Sequence, residues 1–271
     1  MQHNNQFART HLLFQLLHLT LIFFIFAIPS ETQARNSKVR EGINAQNDHG
    51  FWLEESISKK FESGLIQKLR FEQRWASNYR ILYNQGYEFF LHYDVIQTLS
   101  KPFQSMFSEV IPGAGLRLSR LMRKNTRTVF HWVTLLRPMI EVQLTSILCE
   151  WKIKQRIRFE YINYLKQHYR DHAVGRYRLE IHTPWKWSQL KISPYMMNEL
   201  FFRKNTYGRS HPNGQVGGMH ENRFRVGLTF DLFEHLSSTV YWQWITRKRK
   251  PEEYPQWLYN YQIGLILDSR F

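Results

Sequence analysis

The sequence predicts an all-β protein: an antiparallel transmembrane β-barrel of about 10–12 strands behind a cleaved signal peptide. Three observations predict it. Segment after segment alternates apolar and charged residues at a spacing of two, the period of a strand whose successive side chains point to opposite faces. The chain starts with a short apolar run that has the flanks of an export signal. It ends on an alternating segment closed by an aromatic residue, YNYQIGLILDSRF.

The start of the chain sets the domain plan. Arg9 precedes HLLFQLLHLTLIFFIFAI, Pro29 follows it, and Thr32-Gln33-Ala34 offers small residues for cleavage after Ala34. From Leu12 to Ile28 the run is 17 residues, interrupted by Gln15 and His18. That is short of the ~20 residues a spanning helix needs, which disfavours a membrane anchor. Residues 1–34 are therefore expected to be a signal peptide, 35–48 a polar lead-in, and 49–271 one barrel domain. The single cysteine, Cys149, excludes an internal disulfide and a Cys-based zinc site. No His, Asp or Glu cluster has metal-ligand spacing, and nothing calls for a cofactor. A net charge of +15 points to nucleic acid, anionic lipid or an anionic ligand. The export signal argues against nucleic acid.

The elements follow in order. FWLEESISKKF is irregular. LIQKLRFEQRW sets Leu65, Leu69, Phe71 and Trp75 against Lys68, Arg70, Glu72 and Arg74. YEFFLHYDV sets Tyr87, Phe89, Leu91, Tyr93 and Val95 against Glu88, His92 and Asp94. GLRLSRL and TVFHWVTLL are less clean. EWKIKQRIRFEY opposes Trp151, Ile153, Ile157, Phe159 and Tyr161 to Lys152, Lys154, Arg156, Arg158 and Glu160. GRYRLEIH repeats the Arg-x-Arg-x-Glu pattern as Arg176, Arg178 and Glu180. LKISPYMMNELFF carries Glu199, NRFRVGLTF carries Arg223 and Arg225, STVYWQWIT puts Trp242 and Trp244 on one face, and LYNYQIGLIL does the same with Tyr259 and Tyr261. These are eleven candidates, whereas bacterial single-chain barrels have even counts. FWLEESISKKF is thus the candidate for an incomplete or non-barrel strand, unless a further strand is hidden. Tight turns are expected at Glu234-His235, at Pro184 to Ser188 and near Ser146, and longer polar loops at 165–175, 203–220 and 247–256.

The alternation has a physical reading. A strand protein in lipid must pair every backbone polar group, so it closes into a barrel. Its outer face is then an apolar band with aromatic girdles, and its inner face is polar. Ile157, Phe159, Tyr177 and Leu179 are expected to face lipid. Lys68, Arg70, Glu72, Arg74, Glu88, Arg156, Arg158, Glu160, Arg176, Arg178, Glu180, Glu199, Arg223 and Arg225 are the candidate interior network. The basic run Arg247-Lys248-Arg249-Lys250 has two readings: a clamp on lipopolysaccharide phosphates, or a solvated loop balanced by Glu252 and Glu253. The second is preferred, because charge runs are common in exposed loops.

No catalytic constellation stands out. Glu180 and His182 share a face, and His131, His235, Ser237 and Ser238 are loose candidates, but no nucleophile sits at a convincing spacing from a base. Counting back by twos from Phe271 gives Ser269, Leu267, Leu265, Ile263, Tyr261 and Tyr259. This resembles the terminal strand of bacterial outer-membrane barrels, whose final aromatic is recognised by the barrel-assembly machinery; Ser269 departs from the pattern. Further, GFWLEESI with Trp52, RFEQRW, RIRFEY, RYRLE, PYMMNELFF and ENRFRVGLTF resemble a family of uncharacterised bacterial outer-membrane barrels, domain of unknown function 2490, over roughly residues 49–271. The resemblance implies an outer-membrane location among outer-membrane lipids and lipopolysaccharide, and it brings no activity with it. Three functions stay open: a narrow pore or plugged structural barrel, a barrel-embedded enzyme acting on envelope lipids, and a secreted β-protein binding an anionic polymer.

Overall fold

The computed structural model describes residues 49–76, 81–124, 130–165, 171–203, 218–249 and 256–271. The signal peptide and lead-in expected over residues 1–48 lie outside the described residues. Eleven strands follow one another: β1 (His49–Lys60), β2 (Leu65–Ala76), β3 (Ile81–Tyr93), β4 (Glu109–Lys124), β5 (Phe130–Leu148), β6 (Trp151–Tyr164), β7 (His172–His182), β8 (Ser193–Arg203), β9 (Gly218–Phe233), β10 (Leu236–Arg249) and β11 (Gln256–Arg270). A 3-10 turn (Ile96–Thr98) and one short α-helix, α1 (Lys101–Met106), interrupt the connection from β3 to β4.

Each strand pairs with its sequence neighbours, and β1 pairs with β11, so the sheet is a closed barrel. Each of the eleven sequence segments overlaps one of these strands, though Phe61, Asp94, Val95, Glu150 and residues 190–192 lie beyond the strand ends. The even count does not hold, and FWLEESISKKF is a full barrel strand. The reason is geometric: in an up-and-down meander with an odd number of strands, the first and last run in the same direction. Closure must then be parallel, and β1 runs parallel to β11 from the pair His49–Tyr261 to the pair Ser58–Arg270. The other pairings are antiparallel, which makes the barrel mixed where a purely antiparallel one was expected. The backbone of Phe271 completes the seam. Its N–H donates to the Ser58 carbonyl at 2.9 Å, and its carbonyl accepts from the Lys60 N–H at 3.1 Å.

The odd count also puts the start of β1 and the end of β11 at opposite ends of the barrel. β1 starts at the barrel end that carries the β2–β3, β4–β5, β6–β7, β8–β9 and β10–β11 connections, here the loop end. Phe271 lies at the opposite, turn end. Two turns there are tight. Glu234-His235 joins β9 to β10. The β5–β6 turn is Cys149-Glu150, three residues beyond the expected Ser146. Both residues have positive φ, 48° and 69°, as a two-residue hairpin turn that follows strand twist requires. The division into short turns and long loops is imperfect: Asp94 to Ser108, which holds α1, connects strands at the turn end.

Pleating sets the facing. In β6, Arg156, Arg158 and Glu160 are buried, while Ile157 and Phe159 are 45% and 60% exposed. Tyr177 and Leu179 on β7 are half-buried. The interior is not uniformly charged. Val133, Leu135, Ile162, Tyr164, Val174 and Phe201 pack together towards the loop end. Trp52, Tyr195, Met197 and Tyr241 form a second interior cluster, against which Ile266 packs. Glycine makes room for it: a Cβ on Gly264 would lie 2.0 Å from the Tyr241 ring.

Candidate functional site

The interior charges are held by strand pairing. Residues directly opposite each other share a face, so an Arg or Glu on the inward phase of one strand meets inward side chains of the next. Glu88 on β3 lies 3.2 Å from Arg70 and 3.3 Å from Arg158. Glu72 on β2 accepts from Arg74 and from Arg117, each at 2.7 Å. Glu141 on β5 accepts from the Nε of Arg158 at 2.5 Å and contacts His92 at 2.8 Å. Glu160 on β6 accepts from Arg176 at 2.7 Å and lies 3.8 Å from Arg137. Glu199 on β8 accepts from Arg156 at 2.8 Å and from Arg178 at 3.2 Å.

Arg158 and Arg156 join these groups. Arg158 also reaches Glu160 at 3.6 Å, and Arg156 reaches Glu141 at 4.0 Å. Arg70 extends the chain to Glu54 at 3.4 Å, and Arg178 extends it to Glu180 at 3.0 Å. Arg223 links Glu199, at 3.9 Å, to Glu221. The outcome is one continuous network on strands β1 to β10. Aromatic faces back it: Arg74 lies 3.6 Å from the Trp52 ring centroid, Arg158 4.7 Å from Phe90, and Arg223 4.2 Å from Phe201. Inside a barrel such charges tolerate removal from water only when paired and hydrogen-bonded. Arg158 is 1%, Glu199 1% and Glu160 2% exposed.

Two sequence candidates stand apart from the network. Lys68 lies 3.8 Å from Asp268, which is bonded to Ser56 and to Arg270. Arg225 donates from Nε and Nη2 to the Gln243 amide oxygen at 3.1 and 2.9 Å. Arg247 to Arg249 of the basic run belong to β10 and not to a loop, and Arg247 donates from Nε to Glu221 at 2.7 Å. The side chains of Lys248 and Arg249, and all of Lys250, Glu252 and Glu253, lie outside the described residues.

Of the catalytic candidates, Glu180, His182 and Ser237 line one cavity, but among the described residues no hydrogen bond joins Ser237 to His182. His182 contacts Glu180 at 3.4 Å and stacks on Tyr195, while His235 stacks on Phe271 at 6.0 Å between centroids. Ser237 borders the interior cavity, and Ser238 lies on the next residue, on the other face. The side chain of His131 is outside the described residues.

Several interior residues escaped sequence reading. Arg117 lies on β4 in a segment whose alternation is less clean, and Arg137 and Glu141 lie on β5 beyond the end of the segment TVFHWVTLL, although Arg137, Met139, Glu141 and Gln143 do follow a period of two. Glu54 was hidden by its neighbour: Glu54 and Glu55 are adjacent and therefore point to opposite faces. Glu55 occupies the outward phase between Phe71 and Leu267, is 8% exposed, and its Oε1 lacks a hydrogen-bond partner.

Comparison with known proteins gives one family. No curated protein matches the chain. Residues 49–255, from the start of β1 to just before β11, match the family described as "Protein of unknown function (DUF2490)". The match spans most of the chain, and the protein belongs to this family.

Proposed function

We propose that this protein is an outer-membrane barrel whose interior is sealed by its ion network, a plugged barrel with a structural or surface role and not an open channel. The burial of Arg158, Glu160 and Glu199 in mid-network is the observation that carries the reading. Barrels of about 8 strands are filled by side chains, and water-filled channels belong to barrels of about 16–18 strands. Eleven strands with long Arg and Glu side chains sit nearer the first case.

The membrane location draws on the outer surface. Soluble monomers rarely expose a contiguous apolar patch beyond a few hundred Å². Here Leu69, Phe89, Leu118, Ile140, Phe159 and Ile263 are all exposed on the outward phase of different strands. Aromatic rings collect near both ends. Trp242 packs against Trp244 at 4.1 Å and Tyr261 at 6.0 Å towards the loop end, and Trp151 meets Trp185 at 5.7 Å at the turn end. Such belts suit the two interfaces of a membrane. In this reading residues 1–34 direct export and are removed, Phe271 addresses the barrel-assembly machinery, and outer-membrane lipid and lipopolysaccharide surround the barrel.

The test is refolding into detergent followed by planar-bilayer recording. Heat-modifiable gel migration with no stable conductance supports the proposal. Monodisperse protein without detergent would overturn the membrane reading, and large steady conductance would overturn the plug.

A further inference from the structure

Below the ion network, the turn end of the barrel holds a partly open cavity of about 190 Å³. The acidic groups around it are already engaged. Glu54 is held by Arg70, Glu141 by Arg158, Glu180 by Arg178 and Asp268 by Arg270. Two cations around it are not. Arg225 is 3% exposed, yet among the described residues no carboxylate lies within 4.0 Å of its guanidinium. Its hydrogen bonds go to a neutral amide, and its face rests 3.8 Å from the centroid of Tyr241. Lys154, on β6, stands across from Glu180, which Arg178 already holds, and has no carboxylate within 4.0 Å among the described residues. Beside Arg225, the Tyr195 hydroxyl is buried and lines the cavity; the Arg225 guanidinium is a polar neighbour, and no acceptor among the described residues takes the hydroxyl proton.

A desolvated guanidinium without a counter-charge is costly, and so is a buried hydroxyl without a partner. Both deficits face the same cavity, and a single anion would relieve both. We propose that this cavity binds a small oxyanion, a phosphate or carboxylate group, with Arg225 and Lys154 supplying charge and Tyr195 supplying a hydroxyl donor. The volume limits the ligand. It falls below the roughly 300–1,000 Å³ of pockets for drug-sized molecules, so the site holds an anionic group of a few heavy atoms. The site depends on the closed interior alone and stands whether or not the barrel is in a membrane.

Trp52 reports on the site, because its ring centroid lies 5.2 Å from the Arg225 guanidinium carbon. The experiment titrates the full refolded protein with inorganic phosphate, acetate and glycerol 3-phosphate, following tryptophan fluorescence and the thermal midpoint. Expected are saturable phosphate binding, a raised midpoint, and at least tenfold weaker binding in Lys154→Gln and in Arg225→Gln. Lys154→Gln keeps the test decisive if the buried Arg225 substitution fails to fold. Preference for glycerol 3-phosphate assigns the site to a lipid headgroup, preference for phosphate or acetate to a free anion of that class. Absence of a saturable response to all three, or wild-type affinity in Lys154→Gln, overturns the proposal.

Discussion

Arg158 donates its Nε proton to Glu141 across 2.5 Å, and both side chains are 1% exposed. The same guanidinium faces Glu88 at 3.3 Å and Glu160 at 3.6 Å. Removing it leaves three buried carboxylates with reduced compensation. Breaking one partner of a buried pair costs about 3–5 kcal/mol, because the other charge is stranded. Arg158→Met should therefore lower the urea-unfolding midpoint of the refolded barrel strongly. Glu141→Gln should cost less, since the amide oxygen still accepts from Arg158. Equal and small effects from both would mean that water reaches the network, which would overturn the sealed interior.

On the outward face a charge should have the opposite effect, lowering stability where it is added and raising it where it is removed. Ile157, next to Arg158, is 45% exposed on the apolar band. Ile157→Arg puts a charge into lipid and should cost about 2–4 kcal/mol near the midplane. Glu55 is the natural counterpart, a carboxylate already on that band between Phe71 and Leu267, with one oxygen unpartnered. Glu55→Leu should stabilise the lipid-embedded barrel. A stabilisation seen equally after transfer to an apolar-free, detergent-stripped state would point to packing and not to lipid.

Strand identity was legible because the period-two signal is local: Arg156 to Glu160 alternates whatever the rest of the chain does. Closure itself was legible from the need to pair every backbone group in lipid, but its parallel seam was not, because whether β1 finds β11 depends on strand count and shear, which no single segment encodes. The pairing of charges was legible only as opportunity. Arg156 lies directly across from Arg178 in register, yet both find Glu199 on the next strand. Side chains of that length choose partners in three dimensions. The apolar interior residues were hidden for a related reason: Phe90, Val133 and Met197 occupy the inward phase, where sequence logic expected polar groups.

Gly264 tests the packing beneath the network. An added Cβ there would fall inside contact distance of the Tyr241 ring, and Tyr241 is 2% exposed. Gly264→Val should push the ring towards Trp52, which it meets edge-on at 6.4 Å. Forcing side chains into a filled core costs typically about 1–3 kcal/mol. A lower thermal midpoint with a shifted tryptophan emission is expected; an unchanged emission would argue that Trp52 and Tyr241 are not packed together.

Phe271 has two separable contributions. Its ring is 47% exposed and stacks on His235, while its backbone makes both final hydrogen bonds of the seam. Deleting the residue removes ring and hydrogen bonds together. Phe271→Ala removes only the ring. If the ring is the assembly signal, both variants should lose outer-membrane accumulation to a similar extent while total synthesis stays constant. If seam closure matters instead, only the deletion should suffer, and the assembly role assigned to the aromatic falls.

The parallel seam itself can be trapped. Leu53 on β1 lies opposite Leu265 on β11, and both take the outward phase. Neighbouring strands are about 4.7–4.9 Å apart, within the roughly 4.4–6.8 Å between Cα atoms that a disulfide spans. In a Cys149→Ser background, Leu53→Cys with Leu265→Cys should oxidise within one chain and slow unfolding, since the bond joins the first strand to the last. A shift of one register step breaks the match, because every outward residue then turns inward. Leu53→Cys with Ile266→Cys is thus the control and should stay reduced. Oxidation of the control but not of the test pair would relocate the register. Failure of both pairs would mean that β1 does not close the barrel, and the even-numbered alternative built on β2 to β11 would take its place.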